Sequence, residues 1–177
     1  MKAGHGKAML TNTLIFGNSA SGKSTLAKEL ANTYGVAHLD LDTIAWQPQS
    51  PPSRMPMAES KALIDAFVNT HTHWVIEGCY SDLLALVVPL ASSVLFLNLS
   101  VNDCIQNAKN RPWEPHKYES KEAQDANLDM LIHWISQYTE RNDTFSKAAH
   151  EHLFNSFEGN KRMFESNQAK SRWLSQQ

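Results

Sequence analysis

The chain has 177 residues, 42% of them hydrophobic, enough for one well-buried core and too few for two full domains. Its 16 Lys and Arg against 18 Asp and Glu leave a formal charge of −2 and a pI near 6.4, so no basic excess argues for a nucleic-acid partner. No run approaches the ~18 apolar residues of a membrane span, the start MKAGHGKAM lacks the apolar centre of a secretory signal, and Cys79 and Cys104 lack the spacing of a zinc site or disulfide framework.

These features predict a cytoplasmic protein, monomer or homodimer, with no membrane or nucleic-acid partner. Residues 1–9 read as a flexible tail before one domain spanning 10–177. Leu10–Phe16 (LTNTLIF) reads as a first strand ended by Gly17. LAKELANTYG then has helical spacing through Leu26, Leu30 and Tyr34, and Gly35 is a helix stop. Val36–Leu41 is a second strand, followed by the proline-broken WQPQSPPSRMP and a helix over Met57–Thr70.

His73–Glu77 and Ser93–Leu99 are short, mostly apolar runs of the kind covered on both faces in a parallel sheet, separated by enough chain for crossover helices. Val101–Asn110 predicts a further helix and RPWEPHKY a second proline-marked loop. Glu122–Arg141 predicts one long helix through Leu128, Leu131, Ile132, Ile135 and Tyr138. Phe145, Ala149, Phe154 and Phe157 continue in helical register to Gly159; Arg162–Glu165 is a candidate edge strand and Ser166 a cap for a terminal helix. The alternation implies a three-layer α/β fold on a mostly parallel sheet.

Between the first strand and the first helix lies GNSASGKST, in which Gly17, Gly22, Lys23 and Ser24 match G-x-x-x-x-G-K-[ST]. A chance match in a chain of this length is below about 1% at average composition. The competing reading is a glycine-rich turn with an accidental lysine. As a phosphate loop, Gly17, Asn18, Ser19, Ala20, Ser21, Gly22, Lys23, Ser24 and Thr25 turn backbone N–H groups toward phosphate oxygens, at the positive end of the new helix. Lys23 then bridges the outer phosphates of ATP and the Ser24 hydroxyl ligates Mg2+.

Asp40 and Asp42 stand at the carboxyl end of the second strand, where ligands collect in a parallel sheet. Two residues apart on an extended chain, both carboxylates point the same way. Asp40 suits the magnesium shell and Asp42 the acceptance of a proton from an acceptor hydroxyl; alternatively Asp42 caps a helix and Asp40 is solvated. Glu77 ends the third strand in WVIEGCY, where an acid reaches magnesium through water, or is simply exposed at a strand end. Gly78 permits close approach of another chain or a ligand, and Tyr80 joins Asp42, Arg54, Glu77 and Gly78 as a candidate acceptor contact.

Arg111, Lys117 and Arg141 supply late positive charge for a transferring phosphoryl group, with Arg111 and Arg141 as the catalytic candidates and 111–141 as the lid; each has a solvated surface role as its alternative. Arg54, in the region 43–72, is placed to grip an anionic group on the acceptor or to face solvent. Trp46, Trp113 and Trp134 either wall the acceptor pocket or pack, and His71, His73, His116 and His133 have no metal-site spacing.

Taken together, GNSASGKST, HLDLDTIAWQP, WVIEGCY and an arginine-bearing lid resemble the P-loop kinases of the adenylate kinase and shikimate kinase type. Within that group the chain looks most like the small bacterial adenylate-kinase-like, or FlaR-type "topology modulation", proteins, which carry a similar D-x-[LI]-x-W after the second strand. The likeness runs from about Leu10 to Leu174, and only the phosphate loop is highly specific. It implies a P-loop NTPase fold with a five-stranded parallel sheet in the order 2-3-1-4-5, an acceptor-binding insertion after strand two and a helical lid after strand four.

A D-x-D at this place in shikimate kinases contributes magnesium and substrate contacts, which Asp40 and Asp42 match. The chain lacks the glycine triplet that follows strand three in shikimate kinases, having Glu77-Gly-Cys79-Tyr80 there, and lacks the D-G-[FY]-P-R of adenylate kinases, so neither substrate carries over.

The chain has only five arginines, Arg54, Arg111, Arg141, Arg162 and Arg172, of which the last two fall in the terminal segment. An aspartate pair repels an incoming phosphate but helps to position a hydroxyl. The expected function is therefore ATP-dependent phosphoryl transfer to a small hydroxyl-bearing metabolite in preference to a nucleoside monophosphate. The second reading is a nucleotide-binding or nucleotide-hydrolysing regulatory protein, weakened by the lack of an N-K-x-D guanine signature and of a basic patch. A domain that holds nucleotide without turnover would leave Asp40, Asp42 and Glu77 unexplained.

Overall fold

The computed structural model describes residues 11–177; Leu10 and the expected tail of residues 1–9 lie outside that range. Five strands, β1 (Asn12–Gly17), β2 (Ala37–Asp40), β3 (Trp74–Gly78), β4 (Ser93–Leu97) and β5 (Asn160–Phe164), form one sheet in the order β2-β3-β1-β4-β5. Every pairing is parallel, as a chain that returns through helical crossovers requires. The helices are α1 (Lys23–Tyr34), α2 (Asp42–Ala45), α3 (Met57–Thr70), α4 (Ser81–Val87), α5 (Val101–Lys109), α6 (Lys121–Ala126), α7 (Leu128–Ser136), α8 (Lys147–Ser156) and α9 (Asn167–Leu174).

The two-residue period of the strands divides the core. Leu14 and Phe16 point to one face with Ile76, Val94 and Phe96, where Ile44, Ile64, Leu83 and Leu84 of α2 to α4 cover them. Ile15 points to the other face with Val75, Leu95 and Leu97, beneath Leu26 and Leu30 of α1, Cys104 of α5 and Ile135 of α7. Because β1, β3 and β4 are covered on both faces, they read in the sequence as unbroken apolar runs. Phe16 stacks on Phe96 with ring centroids 5.2 Å apart, a fully buried pair in which each ring contributes about 3–5 kcal/mol relative to alanine. Both cysteines are free. No helix among the described residues is long and apolar enough to cross a membrane.

The long helix expected over Glu122–Arg141 is two helices. Asn127 closes α6, and its side-chain amide donates to the Tyr118 hydroxyl at 2.9 Å, tying the break to the proline-marked loop. Asparagine competes with helical backbone for hydrogen bonds, so a tertiary partner decides the break. α7 ends at Ser136, which leaves Arg141 in the turn that follows. The edge strand near Arg162 forms as β5, two residues earlier than expected, and the Ser166 hydroxyl accepts the Ala169 N–H as the cap of α9. The sequence reading offered α2 only through Asp42 as a helix cap and named no helix at α4.

His150 of α8 is fully buried against Phe16, Phe96 and Tyr138. Its Nε2 lies 2.8 Å from the Cys79 carbonyl, which only accepts, so Nε2–H donates there and Nδ1 accepts from the Tyr138 hydroxyl at 2.7 Å. Burial lowers its pKa to about 4, against a smaller opposing effect of the Cys79 bond. The unfolded chain takes up a proton below pH 6.5 that the native ring refuses down to about 4. Stability from the neutral ring is therefore present above 6.5 and is lost as pH falls through that window, on the order of 3 kcal/mol. The stability gap between the wild type and His150→Gln should shrink by that order between pH 7 and 4 in denaturant titrations. A gap independent of pH would contradict a neutral buried ring.

Candidate active site

The turn after β1 needs its glycines for different reasons. A Cβ on Gly17, whose φ is +156°, would sit 2.5 Å from the Leu97 carbonyl oxygen of the neighbouring strand. Gly22 has φ +93°, and Ala20, at φ 60°, shares the left-handed region. Polar bonds hold this loop in shape. Asn18 donates to the Ile135 carbonyl at 3.2 Å and accepts the Ser19 N–H at 2.8 Å, while Asn107 of α5 donates to the Ala20 carbonyl at 2.9 Å. Lys23 Nζ lies 2.7 Å from the Asn18 carbonyl.

One feature fits the loop to phosphate. The N-terminus of the 12-residue α1 has no side-chain cap, so its first N–H groups and dipole face the cavity. The buried Ser21 hydroxyl, which has no hydrogen-bond partner in the protein, lies beside Gly17 and outside the cavity lining. Thr25 is exposed on the cavity wall.

That cavity, about 840 Å³, runs from the phosphate loop across the carboxyl ends of β1, β2 and β3 and under the loop after α5. It brings together Ser19, Ala20, Gly22, Lys23, Ser24, Thr25, Asp42, Glu77, Gly78, Tyr80, Arg111 and Lys117 from the sequence expectations. Gly17, Asn18, Ser21, Asp40, Arg54 and Arg141 are not among the lining residues.

Glu77 is buried, and Ser24 Oγ donates to its Oε2 at 2.9 Å; His38 Nε2 stands 3.1 Å from the same oxygen. Register explains the meeting, since β3 sits between β1 and β2 and ends Glu77 beside the start of α1. Asp40 pairs with Glu77 across β2 and β3. Burial first, then the charges of Glu77 and Asp42, push the Asp40 pKa up to about 6, against the Asp42 N–H and Lys117. A bound cation would relieve this crowding, and Ser24 with Glu77 fits one held mainly by phosphate oxygens and water, as Mg2+ usually is. Among the described residues no three His, Cys, Asp or Glu side chains form a metal cage by themselves.

Asp42 does not cap a helix: it is the first residue of α2, whose N-cap position is Leu41 without a side-chain cap, and the backbone there is bonded instead by Asp40. Its Oδ1 accepts the Asp42 N–H at 2.9 Å, and its carbonyl accepts the Thr43 hydroxyl at 2.6 Å, which starts α2. Asp42 is thereby turned toward Tyr80, whose hydroxyl donates to Asp42 Oδ1 while accepting the Trp46 indole N–H at 2.8 Å. Burial, followed by the Asp42 charge, holds the Tyr80 pKa well above its ordinary value, so the phenol stays a donor. Gly78 admits the Leu41 side chain, which a Cβ would meet at 2.9 Å.

The loop after α5 carries its charges in pairs. Arg111 Nε lies 3.1 Å from Glu114 Oε1, and Lys117 lies 3.5 Å from Glu114 Oε2 and 3.8 Å from Asp42 Oδ2. Burial works against the Lys117 ammonium, but Asp42, Glu114 and Asp40 outweigh it and its pKa rises. Arg141 covers Trp134, 3.5 Å from the ring centroid, and donates to the Trp134 carbonyl and Gln137 Oε1, both at 3.1 Å. Arg54 is clamped by both oxygens of Asp82, at 3.1 and 3.2 Å.

Sequence reasoning missed Lys28, Lys170, Asn107 and Asn167, which close the other end of the cavity. Lys170 Nζ lies 2.9 Å from where a Gly22 Cβ would be, and burial lowers its pKa. Nothing in the local sequence marks a lysine of a terminal helix for this position. Glu114 was also passed over, although its i,i+3 spacing to Arg111 and Lys117 was readable.

No protein-family model matches the chain, and no curated protein matches it. Among solved structures, a gluconokinase from Sinorhizobium meliloti 1021 aligns with TM-score 0.53 and 13% identity, over 95% of this chain and 89% of its own. A shikimate kinase from Bacteroides thetaiotaomicron aligns with TM-score 0.49 and 14% identity, over 93% and 95% of the two chains. With the strand order β2-β3-β1-β4-β5 and a phosphate loop after β1, the likeness to the gluconokinase along nearly the whole chain gives this protein the P-loop kinase fold.

Proposed function

We propose that the protein transfers the terminal phosphoryl group of ATP to a hydroxyl group of a small metabolite. The observation that carries this reading is the shared cavity: the phosphate loop with Lys23 and Ser24 at one end, and at the other Asp42, held by Tyr80, beneath Lys117 of the lid loop. A protein that merely held nucleotide would need no second half to the cavity. The gluconokinase named above, by its own name, fits the same class of reaction. The closer likeness to FlaR-type proteins rests on Asp42-Thr-Ile-Ala-Trp46, whose first and last side chains both bond Tyr80.

The N–H groups of residues 17–25 and the Lys23 ammonium hold the donor phosphates. Ser24 and Glu77, with Asp40 behind them, would hold Mg2+, which when bound neutralises charge on the outer phosphates. Asp42 accepts the proton of the acceptor hydroxyl as its oxygen bonds to phosphorus and the bond from phosphorus to the ADP oxygen breaks. The Tyr80 hydroxyl keeps Asp42 Oδ1 occupied, so that Oδ2 is the atom left for the incoming proton. Arg111 lies on the cavity wall, where a guanidinium stabilises equatorial oxygens, whereas Arg141 requires movement of the lid to reach them.

ADP formation should rise with one of a set of pooled nucleosides, sugars and hydroxy acids. Turnover that responds to nucleic acid and to no metabolite would instead favour a regulatory nucleotide-binding protein.

A further inference from the structure

The cavity divides its charge by position. At the donor end stand Lys23, Lys28 and Lys170, suited to a triphosphate. At the other end stand Asp42 and Glu114, and the cations beside them already face acids. Arg111 and Lys117 face Glu114 at 3.1 and 3.5 Å, and His116 faces it at 3.6 Å. Arg54 would have been the remaining grip for an anion. It is engaged by Asp82 and enclosed by Tyr80, Phe145 and Trp46, whose ring centroids lie 5.0, 5.7 and 6.0 Å from its guanidinium carbon.

Among the described residues that line the acceptor end, then, no cation is without an acidic partner; Arg141, outside the lining, is spent on the Trp134 ring and carbonyl and on Gln137. A carboxylate or phosphate on the acceptor would approach Asp42 and Glu114 with no unpaired guanidinium in the cavity lining to meet it. The same end presents aromatic surface instead. Trp46, Tyr118 and Trp134 line it, and the Trp46 N–H is spent on Tyr80, which leaves its ring face as the contact.

We infer that the phosphoryl acceptor is an uncharged, hydroxyl-bearing ring compound of the sugar or nucleoside class, with no carboxylate or phosphate of its own. The inference rests on the kinase reading above. It distinguishes this site from one built for a nucleoside monophosphate or a hydroxy acid, although all three are phosphorylated by enzymes of similar architecture.

Matched acceptors test it with the full chain and Mg2+-ATP: glucose against gluconate and glucose 6-phosphate, and adenosine against AMP. The uncharged member of a pair should have kcat/KM at least about tenfold above its anionic counterparts. An anionic member used as well or better overturns the inference, and the sugar and nucleoside arms separate the two sources of the ring. If no pair turns over, gluconate and inorganic phosphate are titrated calorimetrically into protein saturated with Mg2+ and a non-hydrolysable ATP analogue. No wild-type binding below about 1 mM, with at least tenfold tightening in Glu114→Gln or in the independent Asp82→Asn, supports it. Wild-type binding below that level, or no gain in either folded variant, overturns it. Failure of the ATP analogue itself to bind strikes the kinase reading and is read separately.

Discussion

Lys23→Ala is expected to remove detectable phosphoryl transfer while the protein still melts cooperatively. The ammonium leaves the donor end of the cavity, and with it the charge that bridges the outer phosphates as negative charge redistributes in the transition state. Losing one such preorganised donor costs on the order of 10²–10³-fold in kcat, and loss of phosphate binding adds to that. Stability should change little, because Lys23 is only partly buried and its polar contact is one bond to the Asn18 carbonyl, which water can replace. Coupled detection of ADP alongside thermal melting separates the two effects. Turnover near the wild-type rate would remove the phosphate loop from the chemistry altogether.

Asp42→Asn should lower kcat by about 10²–10⁴-fold with little change in ATP affinity, the range expected when a positioned general base is lost. The amide keeps the size of the carboxylate and still accepts from the Tyr80 hydroxyl, so the chain from Trp46 through Tyr80 survives. What disappears is the oxygen that takes the proton and the attraction for Lys117 of the lid. Single-turnover rates and nucleotide titrations decide between roles. Equal losses in transfer and in ATP binding would move Asp42 from acceptor chemistry into the magnesium shell.

Much of this arrangement was legible before any coordinates. The spacing of Gly17, Gly22, Lys23 and Ser24 carries a local backbone requirement, since only glycine tolerates the turn against Leu97, and so it can be read one residue at a time. The apolar runs of β1, β3 and β4 announced strands buried on both faces, and Asp40, Asp42 and Glu77 were recognisable as acids at strand ends. The scarcity of arginines, five in the whole chain with two in the terminal segment, already disfavours a phosphate acceptor.

The fate of Arg54 and Arg141 was not legible, because neither has an acidic residue three or four positions away to mark a partner. Arg54 and Arg141 were offered to the cavity on chain position. In the fold one is taken by Asp82, 28 residues later, and the other lies on Trp134, seven residues earlier. Conversely Lys170, on a terminal helix with no motif, arrives above Gly22 because β5 sits beside β4 and returns the last helix to the phosphate loop. The break at Asn127 likewise depends on Tyr118, a contact outside any helical period.

The amino-acid sequence by itself determined the α/β class, the strand order by resemblance, the phosphate loop and the acidic set, since those follow from short-range periodicity and backbone geometry. Only the tertiary structure decided that Asp42 meets Tyr80, that Ser24 meets Glu77, and that Lys117 faces Asp42. Those are pairings across two or more elements, where Coulomb attraction and hydrogen bonding choose among partners that only the packed sheet brings within reach.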